Sequence, residues 1–517
     1  MNINPLANYG KIVKGERFIG RKKEIELIKN RIFGEAYGNI AIQGLPRIGK
    51  SSLAWNAIME YKNELGAKNI IPIMINTGKF NNSTDFFGNL ISTAFYELEL
   101  SNFQNIDNLT KIKNSYFVSA NDYERINYIE FFFKIIKRNN YRIIFILDEF
   151  DAVRNYFEVN DFQILRSLSY NPEIEICLVT TSRRYCTEIE KRGGGGSTFC
   201  GIFSDLFLGM YSDNDLNEYW ERFFNGKHTV KQEDREKIYL LTGHHPFLLD
   251  IFNYHLFGKI QEGSDLSQLI NSTFNEISTT ILVEYNKILS LLKEEELESK
   301  LMQMIVGPVY DITRTEAEKI ERYGLAQEDK EKLIKINDKR LHSFSGFSIN
   351  FTEFLYSIRK DIPIWNLWNE TEINLRNLIH TYLNEAFGTE WLDPFLKKNP
   401  KKKDMFYGNI ENKIIGLLER QQREQKTYGD RSSPNLLDFT YPSELFDGFI
   451  STDWNWFSKV FGKDSKDMWK VKFDFLAKIH NPLAHNKENI ITDSEKNNAI
   501  GYCQDINDKI IKWIKMN

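Results

Sequence analysis

The 517-residue chain holds only four cysteines, Cys177, Cys186, Cys200 and Cys503, and no CxxC spacing among them. That scarcity excludes a disulfide framework and predicts free thiols in a reducing compartment. No run approaches the roughly 18 apolar residues of a membrane span. The opening stretch "MNINPLANYGKIVKGERF" lacks an apolar core behind a basic start, so no signal peptide is expected. Excess positive charge is missing as well, since the net charge is −4. That argues against a general polyanion binder, and any nucleic-acid contact must come from a local basic patch. Internal repeats are absent too. These absences predict a soluble, cytoplasmic protein with no membrane partner.

What the chain does have is apolar and aromatic material, with 42% hydrophobic residues, 38 Phe and 24 Tyr. This suffices for several cores and excludes disorder. The first two hundred residues alternate short β-branched runs with amphipathic segments, the pattern of a parallel α/β sheet. Strands are expected at 39–44, 69–78, 141–151, 174–184 and 205–212, with a helix at 83–100. "RGGGGST" (192–198) cannot hold regular structure and reads as a mobile loop or an inserted linker. From Asp213 the pattern turns helical. Residues 314–359 follow the order helix, turn and paired strands of a small winged-helix unit. Beyond 363 helices dominate, interrupted by the linkers "DPFLKKNPKKKD" and "QQREQKTYGDRSSPN". Trp365, Trp368, Trp391, Trp454 and Trp456 lie at helical spacing and read as core.

"GLPRIGKSS" fits G-x-x-x-x-G-K-[ST] through Gly44, Gly49, Lys50 and Ser51, with Arg47 inside the loop and Ser52 after it. Such glycines let backbone N–H groups turn around a phosphate, and the following helix points its positive end at it. Lys50 would meet the β- and γ-phosphates and Ser51 would ligate Mg²⁺. In "IIFILDEFD" a buried strand delivers Asp148 to its carboxyl end, where open α/β sheets bind ligands. Asp148 suits Mg²⁺, directly or through water, and Glu149 suits polarising the attacking water. ATP or ADP with Mg²⁺ is the expected cofactor.

These motifs resemble those of STAND-class P-loop ATPases, the AAA, NACHT and NB-ARC-like group. "FIGRKKEIELI" (18–28), with Gly20 and Arg21, looks like the entry motif that cups adenine. "TTSRR" (180–184) resembles the sensor strand whose arginine touches the terminal phosphate; Arg183 fits best and Arg184 is the alternative. "TGHHPFLL" resembles the Gly-x-Pro lid, with His245 and Pro246 at the contact positions. The resemblance covers roughly residues 15–360. It implies an additional-strand α/β ATPase core at 1–210, a helical lid at 211–270 and a winged-helix-like domain at 271–362. It further implies slow turnover, assembly as a homo-oligomer, and an unidentified trigger.

"FDFLAKIHNPLAHNKE" near the C-terminus resembles the R-N-x-x-x-H segment of HEPN helical domains, many of them metal-independent ribonucleases acting as dimers. Asn481 and His485 match, while His480 stands where the family has arginine. An all-α HEPN-like effector at 363–517 is implied, with RNA as substrate. Local chemistry supports a site here: Pro482 predicts Asn481 as an N-cap and His485 in the first helical turn, where the helix end keeps an imidazole neutral. A neutral imidazole can deprotonate a ribose 2′-OH, with His480 as the charged partner.

The expectation is thus an ATP-regulated switch with a ribonuclease output, resembling prokaryotic antiphage defence proteins. Two alternatives stay open. One is a nucleotide-switched DNA- or protein-binding regulator, its winged helix on DNA and its HEPN domain serving only dimerisation. The other is an ATPase motor or loader stimulated by DNA.

Overall fold

The apolar run "RIIFILD" becomes a strand with all seven residues buried, and a parallel sheet grows on both its sides. The computed structural model describes residues 4–34, 38–191, 198–261, 265–306, 314–336, 339–360, 364–462, 466–484 and 490–516. Five strands, β1 (Asn39–Gln43), β2 (Ile70–Asn76), β3 (Arg142–Asp148), β4 (Cys177–Ser182) and β5 (Phe203–Phe207), lie in the order β2-β3-β4-β1-β5. Every pairing is parallel. The strand between β1 and β3 in the sheet is β4, although β2 is the one between them in the sequence. β1 and β4 are buried throughout, which is why their sequences read as continuous apolar or small-residue runs.

Helices flank the sheet and follow it along the chain. Ser83–Leu100 starts where Asn82 accepts a hydrogen bond from the Asp85 N–H at 2.8 Å, and it buries Phe86, Leu90, Ile91, Ala94 and Leu98. Asp213–Phe224 opens with a capping box between Ser212 and Asp215. Pro246–Phe257 carries proline at its first position, where a missing N–H costs nothing.

The chain divides into two compact units. The first comprises Met1–Leu291, Glu318–Leu325 and Phe347–Asn350; the second comprises Leu292–Ala317, Ala326–Gly346 and Phe351–Asn517. Along the chain, residues 314–360 form the helix Arg314–Arg322, an antiparallel pair β6 (Ala326–Ile336) and β7 (Lys339–Gly346), and the helix Ile349–Lys360.

From Ile364 onward the second unit is helical. Its core gathers Trp368, Leu375, Phe395, Phe449, Trp469 and Phe473, all at most 2% exposed. Lys472 and Asp505 form an ion pair inside it, with Lys300 Nζ 3.8 Å from Asp505. Both expected linkers contain helix, Leu392–Lys398 and Lys403–Tyr407 in one and Leu417–Tyr428 across the other. The polar Leu417–Tyr428 helix is held by Arg420, which grips both oxygens of Glu444 at 2.8 and 2.6 Å. Trp368 and Trp391 are core, as expected, but Trp365 is 39% exposed. The "RGGGGST" reading falls on 192–197, outside the described residues. Among the described residues no helix is long and apolar enough to cross a membrane.

Candidate functional site

Parallel register brings the site together. β2 and β3 align Asn76 with Asp148, while β3 and β4 align Leu147 with Thr180, leaving Thr181 beside Asp148. Ser51 Oγ donates to Asp148 Oδ1 at 2.7 Å, and Thr181 Oγ1 donates to the same oxygen at 2.5 Å. The carboxylate is therefore fixed by two hydroxyls from different elements.

Gly49 closes the phosphate-binding loop at φ 102°, a conformation that disfavours residues with a Cβ, and the helix Lys50–Ala57 starts at once. Lys50 Nζ donates to the carbonyls of Gly44 and Leu45 at 2.9 and 2.7 Å. Burial pulls Lys50 down to about 8; the Asp151, Asp148 and Glu149 carboxylates oppose that shift and the Arg183 guanidinium adds to it. An ammonium so short of water gains strongly from a polyphosphate.

Glu149 adopts φ 55°, a left-handed conformation that costs a non-glycine residue roughly 1–2 kcal/mol. Neighbours hold it there. Thr77 Oγ1 donates to the Glu149 carbonyl at 2.7 Å, and the Glu149 N–H donates to Thr181 Oγ1 at 3.3 Å. The side chain is exposed and accepts from Asn76 Nδ2 at 3.0 Å.

The two arginines after β4 differ. Arg184 is 7% exposed, and its guanidinium lies 3.4 Å from Asp151. Arg183 is exposed and lines the central cavity, its backbone N–H donating to Asp151 at 2.6 Å. Asp151 thus anchors the turn that presents Arg183.

Entry and lid residues divide between wall and scaffold. The Gly20 φ of +60°, and the Asp215 side chain 1.9 Å from where a Cβ would stand, require glycine there. Arg21 is 4% exposed; its guanidinium donates to the carbonyls of Gly209 and Met210, and its N–H to Asp215. Arg47 lies over the Phe247 ring and pairs with Glu284 at 3.3 Å. Ser52 Oγ accepts from the Val13 N–H at 3.0 Å, tying the entry segment to the loop helix. Pro246 lines the cavity. His245 is 2% exposed and lies off that wall, and burial holds it down at about 4.

The cavity measures about 500 Å³ and is lined by Arg21, Lys50, Ser51, Asp148, Glu149 and Arg183 among others. That is ample for a nucleotide. Ser51 and Asp148 offer adjacent oxygens, the donor type a hard cation such as Mg²⁺ takes. The residues fit the expected cofactors. Sequence reasoning missed Asn76, Thr77, Asp151 and Thr181. The only local sign was a polar residue at the end of each apolar run, in "MINTG", "DEFD" and "VTTS".

The C-terminal segment differs from expectation. Asn481 does not cap a new helix: Lys466–Ala484 runs through Asn481 and Pro482 without a break. Burial explains this, because Trp469, Phe473, Leu476, Ile479 and Leu483 form one apolar stripe that continues past the proline. Packing Leu483 into the core outweighs the lost hydrogen bond to the Lys478 carbonyl. The helix-start reason for a neutral imidazole at position 485 therefore falls, and His485 itself lies outside the described residues. His480 is half-buried, its ring 6.2 and 6.1 Å from those of Trp365 and Trp368, while Asn481 is exposed. Among the described residues no cluster of His, Cys, Asp or Glu suits a metal.

No protein-family model and no curated protein matches the sequence. Solved structures give low-scoring likenesses. The Walker-type ATPase paby2304 of Pyrococcus abyssi is 14% identical with a TM-score of 0.43, covering 68% of this chain and 99% of that one. The Orc2 protein of Aeropyrum pernix, solved as ADPNP–ADP complexes, is 12% identical at a TM-score of 0.37, covering 70% and 99%. The Orc1 protein of the same organism, solved in complex with DNA, is 14% identical at 0.34, covering 68% and 95%. Loop motif, strand order and acid placement themselves make the core a P-loop nucleotide-binding fold.

Proposed function

We propose that the protein is a Mg²⁺-dependent, ATP-binding and ATP-hydrolysing switch of the STAND type. The observation that carries this is the convergence of Lys50, Ser51, Asp148 and Glu149 at the carboxyl ends of β1 and β3. Bound Mg²⁺ would neutralise charge on the β- and γ-phosphates. Lys50 binds the phosphate chain, Glu149 orients and deprotonates the attacking water, and Arg183 meets the terminal phosphate. Asp148 and Ser51 hold the cation. Hydrolysis measured on the parent, Lys50→Ala and Glu149→Gln tests this reading; equal rates in all three would sink it.

For the helical unit beyond 363 we propose the HEPN-type output, RNA cleavage without metal in an antiviral response, by a homo-oligomer answering an unidentified trigger. His485 takes the 2′-OH proton, the ribose oxygen attacks the adjacent phosphate, and the leaving 5′-oxygen receives a proton from His480. The products carry 2′,3′-cyclic phosphate and 5′-hydroxyl ends. Incubation with total RNA, with and without ATP, followed by analysis of fragment ends, tests it; cleavage that survives His485→Ala would misplace the site. One observation favours the second reading, a binding regulator. His480 packs against Trp365 and Trp368, a setting suited to holding helices together.

A further inference from the structure

One buried acid stands just behind the wall of the nucleotide cavity. It is Glu284, 7% exposed, in the helix Leu266–Glu294. A buried carboxylate calls for a cation, and Glu284 has two from different elements. Its Oε2 pairs with Arg47 Nε of the phosphate-binding loop at 3.3 Å, and its Oε1 accepts from Lys287 Nζ at 2.8 Å. Arg47 and Lys287 both line the cavity whereas Glu284 does not, so the carboxylate holds them from behind.

Arg47 alone satisfies the charge of Glu284. Lys287 is surplus to that need: the three side chains together carry one net positive charge, and they carry it at the cavity wall. An ammonium has three donors, of which Glu284 takes one. Lys287 is exposed and one helical turn from Glu284, and such a pair contributes little to folding. Its place in the cavity follows from Arg47, with which it shares the carboxylate. Arg47 belongs to the loop Gly44–Lys50, whose backbone suits phosphate. The apolar lining suited to a base comes from elsewhere, from Val13, Phe18 and Ile19 of the entry segment and Phe223 of the helix Asp213–Phe224.

We propose that Lys287 is a further ligand of the phosphate chain, engaging the phosphates beyond the first. This rests on the nucleotide-switch reading above, and adds a contact that neither the loop motif nor the strand ends supply. Lys50, Ser51 and Arg183 approach the phosphates from the loop and from β4. Lys287 approaches from the helix Leu266–Glu294, so a bound triphosphate joins that helix to the loop. A charge-assisted hydrogen bond from the ammonium to a phosphate oxygen is the contact. A nucleoside monophosphate, which has no phosphate beyond the first, leaves Lys287 without it.

The test measures equilibrium binding of ATP and AMP, with Mg²⁺, to the full chain and to its Lys287→Ala, Lys287→Gln and Lys287→Arg variants. Lys287→Ala and Lys287→Gln should each weaken ATP about tenfold and change AMP by less than about twofold. Lys287→Arg keeps the charge and should hold ATP within about threefold of the parent. Melting midpoints without nucleotide should be nearly the same in all four proteins, while the upward shift that ATP gives should shrink in the two uncharged variants. Unchanged ATP binding in Lys287→Ala overturns the proposal. So does a loss shared equally by ATP and AMP, which would make Lys287 a structural residue. Full ATP affinity in Lys287→Gln overturns it too, because the charge would then not be what binds. A parent that binds neither nucleotide overturns the nucleotide reading itself.

Discussion

Asn76 Nδ2 donates to Glu149 Oε2 at 3.0 Å, across the ends of two neighbouring strands. The amide is oriented, because its own Oδ1 accepts from the Gly78 N–H at 2.7 Å, leaving the NH₂ group for the carboxylate. The residue assigned to activate water is thereby held by a side chain one strand away.

Releasing that hold should change turnover. Asn76→Ala removes one hydrogen bond worth about 1 kcal/mol and should raise basal ATP hydrolysis about fivefold. Steady-state phosphate release checks this beside Glu149→Gln, which should fall by about 10² or more. A slower Asn76→Ala would mean that the amide aims the glutamate instead of restraining it.

On the proposed function, Lys50 should give ATP binding a pH dependence. Its folded value of about 8 lies below the ordinary 10.5, and the charged form is the one that holds phosphate. Affinity should be level below that pH and fall as pH rises through it, by up to about tenfold per unit for a single proton. Calorimetry in two buffers of different ionisation enthalpy, near pH 8, should show proton uptake on binding. Lys50→Ala should lose both the affinity and the uptake. Affinity that rises with pH would contradict the assignment.

The arginine pair should separate function from folding. Arg183 is exposed, so Arg183→Ala should leave the melting temperature nearly unchanged while blunting discrimination between ATP and ADP. Arg184 is buried against Asp151. Arg184→Ala should therefore destabilise by on the order of 3 kcal/mol, the cost of leaving a buried charge unpaired. Denaturant titration of both variants decides, and the reverse pattern would exchange their roles.

Pro482 tests the course of the C-terminal helix. Because Lys466–Ala484 is continuous, Pro482→Ala restores a hydrogen bond and should stabilise the protein, by up to about 3 kcal/mol. Were Pro482 the first residue of a new helix, the same change would be neutral or unfavourable. A lowered melting midpoint would count for that arrangement.

How legible the site was depended on how local its causes are. The phosphate loop and Asp148 could be read directly, since a short motif and one apolar strand contain their whole rationale. Asn76 could not, because its contact with Glu149 arises from β2–β3 register between residues 73 positions apart. The choice between Arg183 and Arg184 needed burial and the Asp151 contact. "HNPLAH" misled for the opposite reason: a sound local rule about proline lost to tertiary packing of Leu483.

The most direct test of the central claim is equilibrium binding of ATP to the full chain, with and without Mg²⁺, in the parent and in Lys50→Ala. Saturable, Mg²⁺-strengthened binding to the parent that Lys50→Ala weakens by about 10² or more is the predicted result, since a buried charge pair is lost. Binding of equal strength in the two proteins, or none in the parent, would contradict it.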